Sequence, residues 1–278
     1  MDPLPSVSEK ESRLLAWFRA QGSVLIGFSG GVDSAYLACV ALEAVGPSRC
    51  LAVIGRSASY PAVQWEKARA VADRFGIPVL EVDTEELSDP RYAANPTNRC
   101  YFCKQELWTR LTPIATARGL AVVVDGTNAD DVHDHRPGAR AAVEQGIASP
   151  LAELGFTKEE IRAASAARGI PTWDQPASPC LSSRLPYGTA VTPLRLRVVE
   201  SAEAAVRALG VTGNLRVRYF GNRARVELDP GSLGSWSEEP ARSRLEAAVR
   251  AAGFVEVELE AFRSGALNVL AGVTSGGD

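Results

Sequence analysis

Along the first half of the chain, short apolar runs alternate with stretches in which apolar residues recur every three or four positions. The runs are VLIGFS, CLAVIG, PVLEVD and AVVVDG, and the helical patterns between them begin at about Ser34, Ala62 and Phe102. Uninterrupted apolar runs of this length suit strands covered on both faces, and their alternation with helices predicts a doubly wound, parallel α/β sheet. In the helix after the first run, Leu37, Val40, Ala41, Ala44 and Val45 make one buried stripe, which Gly46-Pro47 ends.

The second half has a different texture. After a helical stretch, FTKEEIRAASAARG, comes IPTWDQPASPCLSSRLPYGTAVTP, a long segment with little periodicity. Loops of this length usually carry function, and its aromatics, cysteine and arginine argue against disorder. From about Val191 a helix, LRLRVVESAEAAVRALG, leads into NLRVRYFGNRARVELDP, two alternating runs joined at Gly221-Asn222 that predict a β-hairpin. A helix, ARSRLEAAVRAAG, and a strand, FVEVELEAF, complete a small α+β unit. The expected division is residues 1–188 and 189–278, with GVTSGGD a frayed tail and no internal repeat.

Length and charge narrow the function. A chain of 278 residues has room for about two domains. Its net charge of -3 supplies no overall basic field, so nucleic acid is not an expected partner, although a local patch still suits a small anion. There is no signal-peptide pattern and no 18-residue apolar span, which predicts a soluble, cytoplasmic protein away from the membrane. Five cysteines, an odd number, argue against a disulfide framework.

The first strand runs directly into SGGVDS, Ser29 to Ser34. Adjacent Gly30 and Gly31 let the backbone present successive N–H groups, and the following helix start adds about half a positive charge. Together these make an anion cradle, with Ser29 and Ser34 as hydroxyl donors. Asp33 would repel a bound phosphate unless a cation lies between them, which points to Mg²⁺. The chain has neither a Walker lysine pattern nor GxGxxG. The loop resembles the signature of the PP-loop ATP pyrophosphatases, an adenine nucleotide alpha hydrolase-like fold. That resemblance implies ATP cleavage between the α and β phosphates and transfer of AMP to an acid or amide oxygen. Ser57 and the stretch DGTNADD, with Asn128 and Asp131, follow strands at their C-terminal ends, where ligands of open α/β sheets bind. They are candidate nucleotide or metal residues.

Cys100 and Cys103 stand as CxxC in NRCYFCK, and Cys180 lies in the long segment. A redox dithiol has no use for Cys180, a zinc site needs a fourth ligand for which His133 and His135 are candidates, and an iron–sulfur cluster on three cysteines keeps one iron open. Cys39 and Cys50 read as core residues. Arg216 and Arg218, two apart on one predicted strand, share a face and suit a phosphate, or else a charge-paired surface with Arg223, Arg225 and Glu227.

YAANPTNRCYFCK, PTWDQPASPCLSSRLPYG and FRSGALN resemble the LarE family, ATP-dependent sulfur transferases of nickel-pincer-nucleotide biosynthesis, and with the PP-loop they span nearly the whole chain. The resemblance implies adenylation of the carboxylates of pyridinium-3,5-biscarboxylic acid mononucleotide and their conversion to thiocarboxylates, twice per product. Cys180 matches the family's sulfur-donor cysteine. With Cys100 and Cys103 also present the chain is similar to the three-cysteine branch, which implies a [4Fe-4S] cluster, sulfide or another sulfur donor, and Cys180 as ligand or donor. Arg216, Arg218, Glu227 and Arg184 match the family's substrate site, and the family implies a homo-oligomer. The rival expectations are a PP-loop tRNA thiolation enzyme, an amide-forming PP-loop ligase, and a nucleotide-binding regulator with a structural zinc knuckle.

Overall fold

The computed structural model describes residues 6–133 and 137–272. In chain order the first part comprises α1 (Val7–Gln21), β1 (Val24–Gly27), α2 (Val32–Val45), β2 (Cys50–Arg56), α3 (Ala62–Phe75), β3 (Val79–Asp83), the single-turn α4 (Pro90–Ala93) and α5 (Arg99–Ala117). It continues with β4 (Val122–Val124), α6 (Pro137–Glu144), the single-turn α7 (Pro150–Glu153) and α8 (Lys158–Ala167). The four strands form one parallel sheet in the order β3-β2-β1-β4.

Successive strand residues point to opposite faces, and each face has its own core. Val24, Ile26, Ala52 and Ile54 face Leu14, Phe18, Leu37, Val40, Val71 and Ile161, from α1, α2, α3 and α8. Leu25, Leu51, Val53 and Val123 face Trp108, Leu111 and Ala115 of α5 and Ala141 of α6. Burying a side chain of this size is worth roughly 1.5–3 kcal/mol, so the two-sided cover accounts for the unbroken apolar runs. Cys39 and Cys50 lie in the first core, where burial pushes their thiols up to about 11 and about 12.

The second part comprises α9 (Pro193–Ala208), β5 (Leu215–Phe220), β6 (Arg223–Leu228), α10 (Pro230–Ser237), α11 (Ala241–Ala251), β7 (Glu256–Ala261) and α12 (Ala266–Leu270). β5 and β6 form the expected hairpin, with Gly221 at positive φ, and β7 adds in parallel to β6. Leu215, Val217, Val226 and Leu228 pack on Leu196, Val199, Leu245 and Val249 of α9 and α11. Leu181, Leu185 and Tyr92, from before residue 188, join this core. The opposite, polar face carries Arg216 beside Glu227 and Arg218 beside Arg225, and it turns back toward the long segment around Cys180.

Several boundaries differ from the sequence-based expectation. α2 starts at Val32 rather than Ser34, because its cap is Gly31, which offers no side chain to read as a cap. α5 starts at Arg99 rather than Phe102, so Cys100 and Cys103 lie within its opening turns, ahead of the apolar stripe that marks the helix in sequence. α10, PGSLGSWS, has no apolar period and leaves no sequence signal.

Two close approaches fix where the loops lie. A Cβ at Gly27 would stand 2.6 Å from the Trp108 ring, so the glycine at the end of β1 lets α5 dock there. A Cβ at Gly30 (φ +67°) would meet Ala68 Cβ and stand 2.5 Å from Ala68 Cα, so α3 backs the loop directly. Replacing Gly30 with alanine combines strain with a backbone clash and is expected to cost about 3 kcal/mol or more. Gly46→Ala, with φ +75° but open space around it, is expected to cost only about 1 kcal/mol. Urea unfolding of the two variants checks the difference; equal losses would mean that the contact with α3 does not shape the loop.

Candidate active site

The site begins where β1 ends. α2 is capped by Gly31, which has no side chain to bond the opening amides, and Gly31 N itself makes only a long contact to Ser29 Oγ at 3.5 Å. At Gly31 an added Cβ would meet only Ser29 Oγ, at 3.5 Å. Helix-start amides without a capping side chain, beside a residue lacking Cβ, form a cradle for an anion. Ser29 and Ser34 close it from the sides: their hydroxyls are 3.1 Å apart, and Ser34 Oγ donates to Gly31 O at 3.3 Å. The Ser29 carbonyl accepts from Tyr60 Oη and from Gln64 Nε2, each at 2.9 Å, which holds the loop onto α3.

The end of β4 lies against the same turn. A Cβ at Gly126 would be 3.0 Å from Ser34 N, so only glycine permits the approach. Asp125 is buried and organises its own loop, accepting from Thr127 Oγ1 at 2.8 Å and Ser149 Oγ at 2.7 Å. Asn128 Nδ2 donates to Asp33 Oδ1 at 3.4 Å, and Asn128 N donates to Asp131 Oδ2 at 3.2 Å. Asp33, Asn128 and Asp131 therefore stand in one chain of contacts. Ser57, at the end of β2, is 2.8 Å from Ser59 Oγ, which donates to the buried Glu86 at 2.8 Å.

Lys158 is the residue that sequence reasoning missed here. Its Nζ donates to Asp33 Oδ2 at 2.5 Å. A capping box of Thr157 and Glu160 starts α8 and puts the lysine in its first turn, where the helix dipole disfavours a cation. Asp33 supplies the compensation. A half-exposed pair of this kind adds about 1 kcal/mol or less to stability, so its importance lies in the charge it brings to the cradle. The TKEE capping box was legible in the sequence; its partner 125 residues away was not.

The three candidate cysteines come into one neighbourhood. Cys100 is exposed and Cys103 half-buried at the start of α5, and half-buried Cys180 precedes the turn Leu181–Arg184. Burial, then the Glu86 carboxylate, then Cys180, raise the Cys103 thiol, with Cys100 adding to them. Burial raises the Tyr187 hydroxyl too, and Cys100 and Cys180 add to it against the opposing Arg99. Leu181 N donates to Ser59 O at 2.8 Å, and Tyr92 Oη lies 2.7 Å from Ser182 Oγ, which anchors the Cys180 turn beside β2. Among the described residues, however, no three Cys, His, Asp or Glu converge to hold a metal ion. Neither the iron–sulfur nor the zinc expectation thus finds an assembled ligand set there; His135 and the side chain of His133 lie outside the described residues.

Beneath Cys180 lie the expected arginines. Arg184 makes a two-pronged ion pair with Glu203, at 2.9 and 3.0 Å, and its NH1 donates to the carbonyls of Pro179 and Cys180. Arg218 donates to Glu227 Oε2 at 3.0 and 2.8 Å and to Ser183 O at 2.9 Å. Arg216 donates to Ala177 O and has no carboxylate of its own among its hydrogen bonds. Burial first, then the Arg184 guanidinium, and with them Arg218 and Arg207 against Glu203, bring Arg216 down to about 10. Sequence spacing found the shared face of Arg216 and Arg218, but not Glu203, which comes from α9. Arg218 is already occupied by Glu227, so the two forks are not equivalent.

The NAD synthase family model matches residues 15–111, the stretch from α1 into α5. The NH(3)-dependent NAD(+) synthetase of Methanosarcina mazei is 39% identical over 74 residues, 26% of this chain and 29% of that protein. An uncharacterized protein of Synechocystis sp. is 42% identical over 264 residues, covering 94% of this chain and 98% of its own. The pyridinium-3,5-bisthiocarboxylic acid mononucleotide synthase of Lactiplantibacillus plantarum is 33% identical over 267 residues, 95% of this chain and 96% of that protein. With that likeness running through the cradle, the cysteine turns and the second sheet alike, the chain belongs to the LarE family of PP-loop enzymes.

Proposed function

We propose that this protein is an ATP-dependent sulfur transferase that adenylates the carboxylates of pyridinium-3,5-biscarboxylic acid mononucleotide and converts them to thiocarboxylates. What carries this reading is an uncapped helix start that suits a polyphosphate, linked to the Cys180 turn through neighbouring residues: Tyr60 Oη donates to Ser29 O at 2.9 Å and Leu181 N to Ser59 O at 2.8 Å. Likeness to the NAD(+) synthetase covers 26% of the chain, whereas likeness to the pyridinium synthase covers 95%, which favours sulfur transfer over amide formation.

The residues divide the work. Ser29, Gly30, Gly31 and Ser34 bind the β and γ phosphates of ATP, and Lys158 offsets the Asp33 charge beside them. Mg²⁺ fits Asp33 as well, because that ion takes most of its ligands from phosphate and water and needs few carboxylates. Ser57, Asn128 and Asp131 border the nucleotide. A carboxylate oxygen of the substrate attacks the α phosphorus, the bond to the β phosphate breaks, and pyrophosphate leaves. Sulfide then attacks the acyl carbon, and AMP departs with the electron pair of the broken C–O bond. Arg216 holds the substrate phosphate, and Arg218 and Arg184, held in place by Glu227 and Glu203, border the substrate with Glu227: these three guanidiniums face two carboxylates, so one positive charge is in excess.

Three cysteines without a fourth protein ligand among the described residues suit an iron–sulfur centre with one open iron better than a closed zinc site, which takes four. A [4Fe-4S] cluster held by Cys100, Cys103 and Cys180 would supply an open iron position for the incoming sulfide. The protein then keeps its own sulfur atoms and acts repeatedly, in the cytoplasm as a homo-oligomer, with no part for RNA. Anaerobic turnover counting with added sulfide tests this reading. Many sulfurs per chain, with Cys180 intact by mass, are expected; one sulfur per chain with Cys180 desulfurated would establish a sacrificial cysteine instead.

Two substitutions probe the charges. Lys158→Met is expected to slow substrate-dependent ATP–pyrophosphate exchange about a hundredfold, the effect of losing a charge-assisted contact worth roughly 2–3 kcal/mol, with partial recovery in Lys158→Arg. An undiminished rate would remove Lys158 from the phosphate site. Arg216→Met is expected to change stability by less than about 1 kcal/mol, since removal of a buried charge offsets the loss of its hydrogen bonds to Leu215 O and Ala177 O. The same change should weaken substrate binding roughly a hundredfold. Denaturant melts and substrate titration check the pair; a destabilised variant with normal affinity would make Arg216 purely structural.

A further inference from the structure

Asn95 stands out from the rest of the chain. It is the one non-glycine residue at positive φ among the described residues, 57°, and it is wholly buried. It also precedes Pro96, a position where the backbone is already restricted. A backbone in a sparsely populated region persists only where its surroundings demand it, and such outliers gather at functional sites.

Its side chain shows what makes the demand. Asn95 Nδ2 donates to Pro186 O at 2.8 Å, Thr189 O at 3.0 Å and Leu185 O at 3.4 Å. Asn95 Oδ1 accepts from Arg99 NH1 at 2.6 Å. The backbone repeats the link: Gly188 N donates to Asn95 O at 2.9 Å, and Val191 N donates to Ala93 O at 2.8 Å. Arg99 is itself buried, with its guanidinium 5.0 Å from the centre of the Tyr187 ring. One asparagine thus ties segment 93–99 to segment 185–191. The first runs straight into Cys100 and Cys103; the second follows from Cys180 by way of the turn Leu181–Arg184.

We propose that Asn95 is a positioning residue: its amide clamp on residues 185–189 and its contact with Arg99 hold the Cys180 turn against the start of α5, so that the three thiols act as one set. Asn95 touches none of the reacting atoms. This rests on the reading that Cys100, Cys103 and Cys180 work together. An apolar residue would leave the carbonyls of Leu185 and Thr189 without this donor and the buried Arg99 guanidinium without this acceptor, and glycine would satisfy the backbone alone.

The test uses the thiols of the full-length apoprotein. Dibromobimane bridges only thiols close together, and trypsin releases Cys100 and Cys103 in one peptide, residues 100–104, and Cys180 in another, residues 169–184. Wild type is expected to yield the bridge between these two peptides. Asn95→Gly, which keeps the left-handed backbone without the clamp, should lower that yield roughly tenfold by loss of effective concentration. The bridge within residues 100–104 and the rate of ATP–pyrophosphate exchange should stay unchanged. Asn95→Asp, which keeps the acceptor for Arg99 and removes the amide donors, should fall in the same way and serves if the glycine variant does not fold. Wild-type yield in either folded variant overturns the role of Asn95 and leaves the shared-thiol reading standing. Absence of the bridge in wild type overturns both.

Discussion

The opening amides of α2 have no capping side chain, and the rest of the site is arranged around that deficit. A helix start costs free energy when its N–H groups lack partners, and here Gly31 takes the place where serine or aspartate would serve. The neighbours close off local remedies. Gly30 lies against Ala68, Gly126 lies against Ser34 N, and the Ser34 hydroxyl is turned back onto Gly31 O. What remains is a rigid concave row of donors with a lysine at its edge, and a polyphosphate answers it well.

The same logic of charge extends to the second sheet. Its apolar face packs on α9 and α11, and on its polar face Arg216, Arg218 and Glu227 are buried toward the long segment, while Arg223, Glu258 and Glu260 stay part-exposed. Arg184, Arg216 and Arg218 are all buried, and their contacts run to the carbonyls of residues 177, 179, 180 and 183. The long segment has one short 3-10 turn, Leu181–Arg184, and otherwise these guanidiniums, with the amide of Asn95 beyond them, supply the hydrogen bonds that a backbone ladder would. That explains how a stretch without periodicity is nonetheless ordered, with Arg184 held against the Cys180 carbonyl.

Much of this was legible in the sequence, for a physical reason in each case. Strands buried on both faces leave unbroken apolar runs, and the hairpin leaves its Gly-Asn turn, so β1 to β6 could be placed from pattern alone. SGGVDS was legible because a phosphate cradle needs glycines in a fixed order. Helix starts were misplaced where the cap is a glycine or where the first turn faces a loop, as at Val32 and Arg99. Partners distant in sequence, Lys158 with Asp33, Glu203 with Arg184 and Asn95 with residues 185–189, leave no local periodicity. Each is a polar residue whose local context is slightly wrong for it: a lysine at a helix start, or an asparagine before proline at positive φ.

On the proposed reading, the first turn of α2 holds the β and γ phosphates of ATP while the α phosphorus faces the cysteine turn. A crystal structure with a non-hydrolysable ATP analogue tests it most directly. The account requires the terminal phosphates to sit on the amides of residues 30–34, within reach of Lys158, with the α phosphate on the side of Cys180. Terminal phosphates bound elsewhere, or an analogue inverted so that the adenine occupies this turn, would contradict it.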